Sequence, residues 1–249
     1  MSELINVEGR EHACVVTFNR PEKLNAISAE VERELCAALE SRELREARSV
    51  IFTGGPRVFS AGADVNELGG LDPASIVSYY DGTGDFPERV ADLPMPTFSA
   101  ISGYCLGGGL ELAVATDFRI ADQSAVFGLP EVKLGIVPSW GGTHRLVRLL
   151  GPARAKELIL LRERFSAAEA YRVGLVNDVV AEGEALDRAL EHAARIATLP
   201  ALAVRVTGRL IDAMPEASRQ AGLELERLAY GLLAQDPEAD AATARVRDR

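Results

Sequence analysis

The stretch GYCLGGGLELAVATDFRIA (103–121) sets three consecutive glycines, Gly107 to Gly109, against an apolar run that carries one carboxylate, Glu111. A strand-like segment, PTFSAISG (96–103), precedes it, and the apolar run reads as a buried helix. The glycines therefore stand at a strand-to-helix junction. Two uses fit such a junction. In one, helix and strand pack so closely that no side chain fits between them. In the other, bare N–H groups at the helix start, with the positive end of the helix dipole, face a negative oxygen as an oxyanion hole. These residues alone leave both uses open.

The familiar glycine motifs do not apply. A dinucleotide fingerprint needs G-x-G-x-x-G; Gly107 and Gly109 fit, but Leu112 holds the third position. Neither a phosphate loop nor a G-x-S-x-G nucleophile elbow occurs. His12, His144 and His192 are scattered without metal-ligand spacing, so no metal is expected.

Two other stretches share the character of the first. TGGPRVFSAGADVNEL (53–68) has a tight Ser-Ala-Gly-Ala turn running into a polar segment. One N–H from each turn would make a two-donor clamp. VFGLPEVKLGIVPSWGGTHRL (126–146) supplies a second carboxylate, Glu131, directly after a proline. A glutamate in apolar surroundings is a candidate for a raised pKa and for acid–base work. For each glutamate the plain alternative is an ion-paired or half-exposed carboxylate.

Around these stretches the pattern alternates. ACVVTFN (13–19) and SVIFTGG (49–55) read as strands, and FRIADQSAVFG (118–128) as two short extended pieces. Ser28 is a plausible N-cap for a helix whose Val31, Leu35, Ala38 and Leu39 share one face. Helices are predicted at 145–151, at 166–174 (Ser166 and Glu169 in capping-box spacing, Gly174 as a stop), at 184–199 and at 216–234. Residues 66–92 are polar, glycine-rich and irregular at both ends, and read as a mobile lid or pocket wall. The whole is an α/β core followed by a mainly helical last hundred residues.

Composition bounds the function. A chain of 249 residues with 47% apolar and 26% charged residues can bury a sizeable core. Its net charge of −10 argues against a nucleic-acid footprint and against docking on anionic membranes. The polar start MSELINVEGREHA reads as no signal peptide, and no apolar run reaches the length of a membrane span. Cys14, Cys36 and Cys105 lie far apart and suit reduced thiols in the cytoplasm.

Taken in order and spacing, NRPEKLNAIS (19–28), FSAGADVNEL (59–68), GYCLGGGLELAVATDFRIA (103–121), FGLPEVKLGIVPSWGGTHRL (127–146) and FSAAEAYRVGLVNDVV (165–180) resemble the crotonase superfamily, the enoyl-CoA hydratase/isomerase family. The resemblance runs from about residue 5 to residue 235. It implies an α/β fold, a spiral of ββα units with two roughly perpendicular sheets. Residues 1–195 would form the spiral core with the acyl-CoA site, and 196–249 a helical region for trimerisation and for covering the coenzyme. The ligand would be an acyl thioester whose coenzyme A is part of the substrate, with no separate cofactor. The assembly would be a homotrimer or a dimer of trimers.

The resemblance also assigns positions. The N–H groups of Ala63 and Gly108 would grip the thioester oxygen. Glu111 and Glu131 match the two catalytic glutamates of enoyl-CoA hydratases, and having both favours hydration of trans-2-enoyl-CoA to 3-hydroxyacyl-CoA, in fatty-acid or amino-acid breakdown. Lys23, Ala61, Asp64, Val65, Gly107, Ser139 and Trp140 would line the substrate. Some positions depart from the pattern. Ser139 stands where glycine is common, beside the only tryptophan, Trp140, which reads either as packing or as an acyl-pocket wall. Asn66 and Met95 replace basic residues, leaving Lys23 and Arg57 for the phosphates. The tail DPEADAATARVRDR lacks the family's aromatic-plus-basic finish over the adenine end, and Arg245, Arg247 and Arg249 read either as its substitute or as part of a disordered tail. The competing readings are an enoyl-CoA isomerase or other crotonase-type enzyme and, from a different class, a non-catalytic CoA- or RNA-binding member.

Overall fold

The computed structural model describes residues 4–67 and 72–247, with backbone alone for Pro73, Asp240 and 244–247. Six strands, β1 (Ile5–Gly9), β2 (Cys14–Phe18), β3 (Val50–Thr53), β5 (Thr97–Ile101), β7 (Phe118–Asp122) and β10 (Asp178–Val180), form one sheet in that order. β4 (Val58–Ser60), β6 (Tyr104–Leu106), β8 (Val126–Gly128) and β9 (Phe165–Ser166) form the other. The β1–β2 and β8–β9 pairs are antiparallel and the remaining pairs parallel. Each pair β3–β4, β5–β6 and β7–β8 begins in the larger sheet and ends in the smaller one, with helical structure following. This is the ββα spiral expected from the sequence.

The switch between sheets is sharp. Only Ser102 and Gly103 separate β5 from β6. Gly103 has φ +60, and a Cβ there would lie 2.0 Å from the Arg57 carbonyl oxygen, so a side chain is excluded. Buried Asp122 at the end of β7 ties the corners together. It accepts from Ser102 Oγ (2.6 Å), Ser124 N (2.9 Å), Ser124 Oγ (2.5 Å) and Gly183 N (2.9 Å). A polar group this deep is tolerated only when so fully hydrogen-bonded.

Helices cover both faces of the larger sheet, which is why every residue of β3 and β5 is buried. Val15, Ile51, Phe98, Ala100 and Ile120 point to one face and meet Ala185, Ala189 and Ala193 of α9 (Ala185–Ala197). Alanine at every fourth position lets that helix lie close. Cys14, Val16, Val50, Phe52, Ile101 and Ala121 point to the other face, into the main core. There α1 (Ala29–Leu39) buries Val31, Leu35, Ala38 and Leu39, and Ser28 caps it by accepting from Val31 N at 3.3 Å. A cap contributes about 1 kcal/mol, whereas burying one Leu or Val side chain contributes about 1.5–3 kcal/mol. The apolar face therefore dominates.

The remaining helices are α2 (Arg42–Arg45), α3 (Pro73–Tyr80), α4 (Phe86–Ala91), α5 (Gly108–Ala113), α6 (Gly142–Leu150), α7 (Pro152–Lys156), α8 (Ala167–Arg172), α10 (Ala201–Ala213), α11 (Arg219–Leu233) and α12 (Pro237–Arg247). Ser166 does cap α8, accepting from Glu169 N at 3.3 Å, and Gly174 follows at φ +83. Outside 68–71, which lie beyond the described residues, the 66–92 segment contains α3 and α4, with Phe86 and Val90 fully buried. Residue 195 falls in the last turn of α9, and the helices beyond pack lightly: α10 has no buried residue and α11 only Gly222.

Candidate active site

Two glycine turns meet backbone to backbone. The first follows β4 and is held by the loop at 20–28. Asn25, buried and left-handed at φ +51, donates through Nδ2 to the carbonyls of Gly54 (3.1 Å), Val58 (2.9 Å) and Phe59 (3.2 Å). Its Oδ1 accepts from Arg20 N at 2.8 Å. Ile27 N donates to Gly62 O (2.8 Å) and Asp64 N to Ile27 O (2.9 Å). Those bonds straddle Ala63, whose own N–H donates to no acceptor among the described residues.

The second turn is the triple glycine, and each glycine has its own reason. Gly107 has φ +50, and a Cβ there would lie 2.9 Å from Glu131 Oε1. At Gly108 a Cβ would strike the Trp140 ring at 2.1 Å, and at Gly109 the Ser60 carbonyl at 2.6 Å. A Cβ on Gly62 of the first turn would sit 3.1 Å from Gly108 N, which brings the turns together. Gly108 N–H, at the first position of α5, also donates to no acceptor among the described residues. The close packing that admits no side chain is thus realised, and the Gly108 N–H is left without a protein acceptor among the described residues. Because α5 has only six residues, the N–H groups themselves outweigh its dipole.

Glu111 lies one turn into α5, almost fully buried. Its Oε1 accepts from Trp140 N (2.8 Å) and Gly142 N (2.9 Å). Burial pushes its carboxyl up to about 7 against the pull of those two N–H groups, and the nearby Glu131 charge pushes the same way. Glu131 opens a 3₁₀ turn (Glu131–Leu134) after Pro130 and is also buried. Burial raises its pKa too, and Oε2 is a buried carboxylate oxygen without a hydrogen-bond partner among the described residues. Two carboxylates of high proton affinity thus lie at the junction of the turns that carry the Ala63 and Gly108 N–H groups.

The other expected substrate residues are less uniform. Gly107 and Trp140 belong to the junction, and Ala61 N is used internally, donating to Leu24 O at 2.9 Å. Asp64 is a buried structural group: Arg20 Nη1 bonds its Oδ2 at 2.8 Å, Asn66 its Oδ1, and these hold its pKa low. Lys23, Arg57, Val65 and Ser139 are exposed. In the tail, Arg249 lies outside the described residues. Among the described residues no group of three or more His, Cys, Asp or Glu is placed to hold a metal, and no helix is long and apolar enough to cross a membrane. A cleft of about 650 Å³ beside Phe98, Phe118, His192 and Arg195 contains none of these groups.

Sequence reasoning passed over Tyr79 and Glu32. Trp140 Nε1 donates to Tyr79 Oη (2.9 Å), and that hydroxyl donates to buried Glu32 Oε1 (2.6 Å). Arg145, ion-paired with Glu88, bonds the Trp140 carbonyl at 3.0 Å.

The family profile described as enoyl-CoA hydratase/isomerase matches residues 8–240. A protein of Rhizobium meliloti named "probable enoyl-CoA hydratase" is 39% identical over 99% of this chain and 96% of its own length. The 2,3-dehydroadipyl-CoA hydratase of Escherichia coli is 37% identical over 94% of this chain and 91% of its own. The solved structure of an enoyl-CoA hydratase from Bacillus anthracis superposes with a TM-score of 0.90 at 37% identity, covering 99% of this chain and 97% of the other.

Proposed function

The chain belongs to the enoyl-CoA hydratase/isomerase family, and from that premise we propose that it hydrates trans-2-enoyl-CoA thioesters to 3-hydroxyacyl-CoA. The observation that carries this reading is the pair of buried glutamates with raised pKa values, Glu111 and Glu131, at the contact of two turns where the N–H groups of Ala63 and Gly108 have no acceptor among the described residues.

The thioester oxygen sits between Ala63 N–H and Gly108 N–H, which makes the β-carbon electrophilic. Glu111 accepts a proton from water as the water oxygen bonds to the β-carbon. Negative charge moves through the conjugated system onto the thioester oxygen, where the two donors stabilise it. Glu131, protonated at the start, gives its proton to the α-carbon as the charge returns. The net change is one water added. A proton passing from Glu111 back to Glu131 resets the pair. Coenzyme A enters as part of the substrate and no resident cofactor is invoked. Cys14, Cys36 and Cys105 are unpaired thiols, which suits a reducing cytoplasm.

We further read the outer helices as an interface of a homotrimer or a dimer of trimers. Ile211, Leu228 and Tyr230 are 65%, 70% and 77% exposed, an apolar surface that a partner subunit would cover.

A panel of enoyl thioesters tests the reaction. Loss of the conjugated absorbance with gain of one water in mass supports hydration. Conversion of a 3-enoyl to a 2-enoyl thioester without that gain assigns the isomerase reading instead. Binding without turnover assigns the non-catalytic one.

A further inference from the structure

Trp140 is held at every polar atom it has. Its N–H donates to Glu111 Oε1, its carbonyl accepts from Arg145 Nη1, and its indole N–H donates to Tyr79 Oη. Phe86 packs edge-on against the ring at 4.9 Å between centroids, and Gly108 lies beneath it. The indole N–H can only donate, so the Tyr79 oxygen must accept there and turn its own proton elsewhere. It goes to Glu32 Oε1 at 2.6 Å, while Thr83 Oγ1 donates to Glu32 Oε2 at 2.7 Å. Every proton in the line has one direction. Burial and the Glu32 carboxylate raise the Tyr79 pKa, keeping the phenol protonated and able to donate. The line starts on α1, crosses α3 and ends at a side chain whose main chain grips a carboxylate of the reaction site.

We propose that Tyr79, anchored by Glu32, is a positioning residue: it locks the Trp140 indole over Gly108 and thereby fixes the main chain that orients Glu111. This rests on the proposed reaction for its kinetic consequence, but not for the lock itself. A polar chain in a partly buried site is worthwhile only if satisfied throughout, since each unmatched group there is destabilising. Stability alone does not require it to end on the segment that holds Glu111. Tyr79 itself touches no substrate; it acts through Trp140.

Trp140 is the only tryptophan of the chain, so intrinsic fluorescence reads the lock directly. In full-length protein, Tyr79→Phe keeps the ring and removes the hydroxyl. Expected are a red-shifted emission, stronger quenching by acrylamide and, with crotonyl-CoA, a kcat about tenfold lower with KM within about twofold, the scale of one lost hydrogen bond. Glu32→Gln, which puts an amide N–H₂ where one of the two acceptor oxygens stood, should act in the same direction. In a Trp140→Phe background, Tyr79→Phe should have no further effect on kcat, a non-additivity that general destabilisation would not produce. Unchanged emission and quenching in both folded variants overturn the lock. A changed emission with unchanged kcat overturns its role in positioning Glu111. Failure of the wild type to hydrate any enoyl thioester overturns the reaction, and the fluorescence then still decides the lock.

Discussion

Gly142 N–H donates to Glu111 Oε1 at 2.9 Å, and a Cβ on Gly142 would stand 2.6 Å from Glu111 Cγ. The start of α6 is therefore shaped around the carboxylate, both as donor and as wall. Gly142→Ala is expected to push the carboxylate off its position. A misplacement of about 1 Å in a reacting group lowers the rate about 100-fold, so kcat should fall by about that factor while thioester binding, followed by titration, changes little.

Gly108 and Trp140 form a second such pair. Gly108→Ala forces its methyl into the Trp140 ring, 2.1 Å away, and should lower kcat/KM by at least about tenfold, the penalty of overpacking a filled site. Trp140→Ala opens that space. In the Trp140→Ala background, Gly108→Ala should be nearly silent, and steady-state kinetics of the four proteins checks this.

Asn25 is the support behind Ala63. Asn25→Ala leaves the carbonyls of Gly54, Val58 and Phe59 without their side-chain donor and places alanine at φ +51. A loss of about 2–4 kcal/mol is expected from the unmatched buried acceptors and the strained backbone. Denaturant unfolding measures it; a change below about 0.5 kcal/mol would show that the loop carries no load.

The raised pKa of Glu111 has two consequences of known sign. In the proposed reaction Glu111 takes the water's proton and must be ionised, so kcat/KM should rise with pH through about 7. It should fall again once Glu131 loses the proton it donates. The apparent values belong to the pair. For stability, the folded value lies above the unfolded one. The advantage of the neutral carboxyl is complete below about pH 4.5 and is lost as pH rises to about 7. Wild type should thus lose stability relative to Glu111→Gln across that window, on the order of 1–3 kcal/mol. Chemical unfolding at several pH values reads the difference, and a difference growing in the other direction would contradict it.

Much of this was legible because the sequence signals were local. The triple glycine before a buried helix marked α5, Ser28 and Ser166 marked helix starts, and alternating apolar runs marked the larger sheet. The reason Gly108 must be glycine was not legible, because its neighbour Trp140 lies 32 positions away. Tyr79 and Glu32 escaped notice for a related reason. The glycine-rich character of 66–92 pointed to a mobile lid or pocket wall, and the packing need for Gly84, where a Cβ would lie 2.5 Å from the Tyr79 ring, was not legible. Glu32 is not among the apolar residues that mark the buried face of α1, and only the tertiary packing buries it between α3 and the following turn. The short strands β4, β6 and β9 offer two or three residues each, too few for a periodic pattern.

The central claim is that Glu131, with one buried oxygen that has no hydrogen-bond partner among the described residues, delivers the proton that completes hydration. The most direct measurement is turnover of crotonyl-CoA by Glu131→Gln, followed by loss of the conjugated absorbance, with binding of the same thioester titrated in parallel. Binding is expected to stay within about threefold of wild type while kcat falls by about 100- to 10,000-fold. Near-normal turnover by a variant that binds normally would contradict the account.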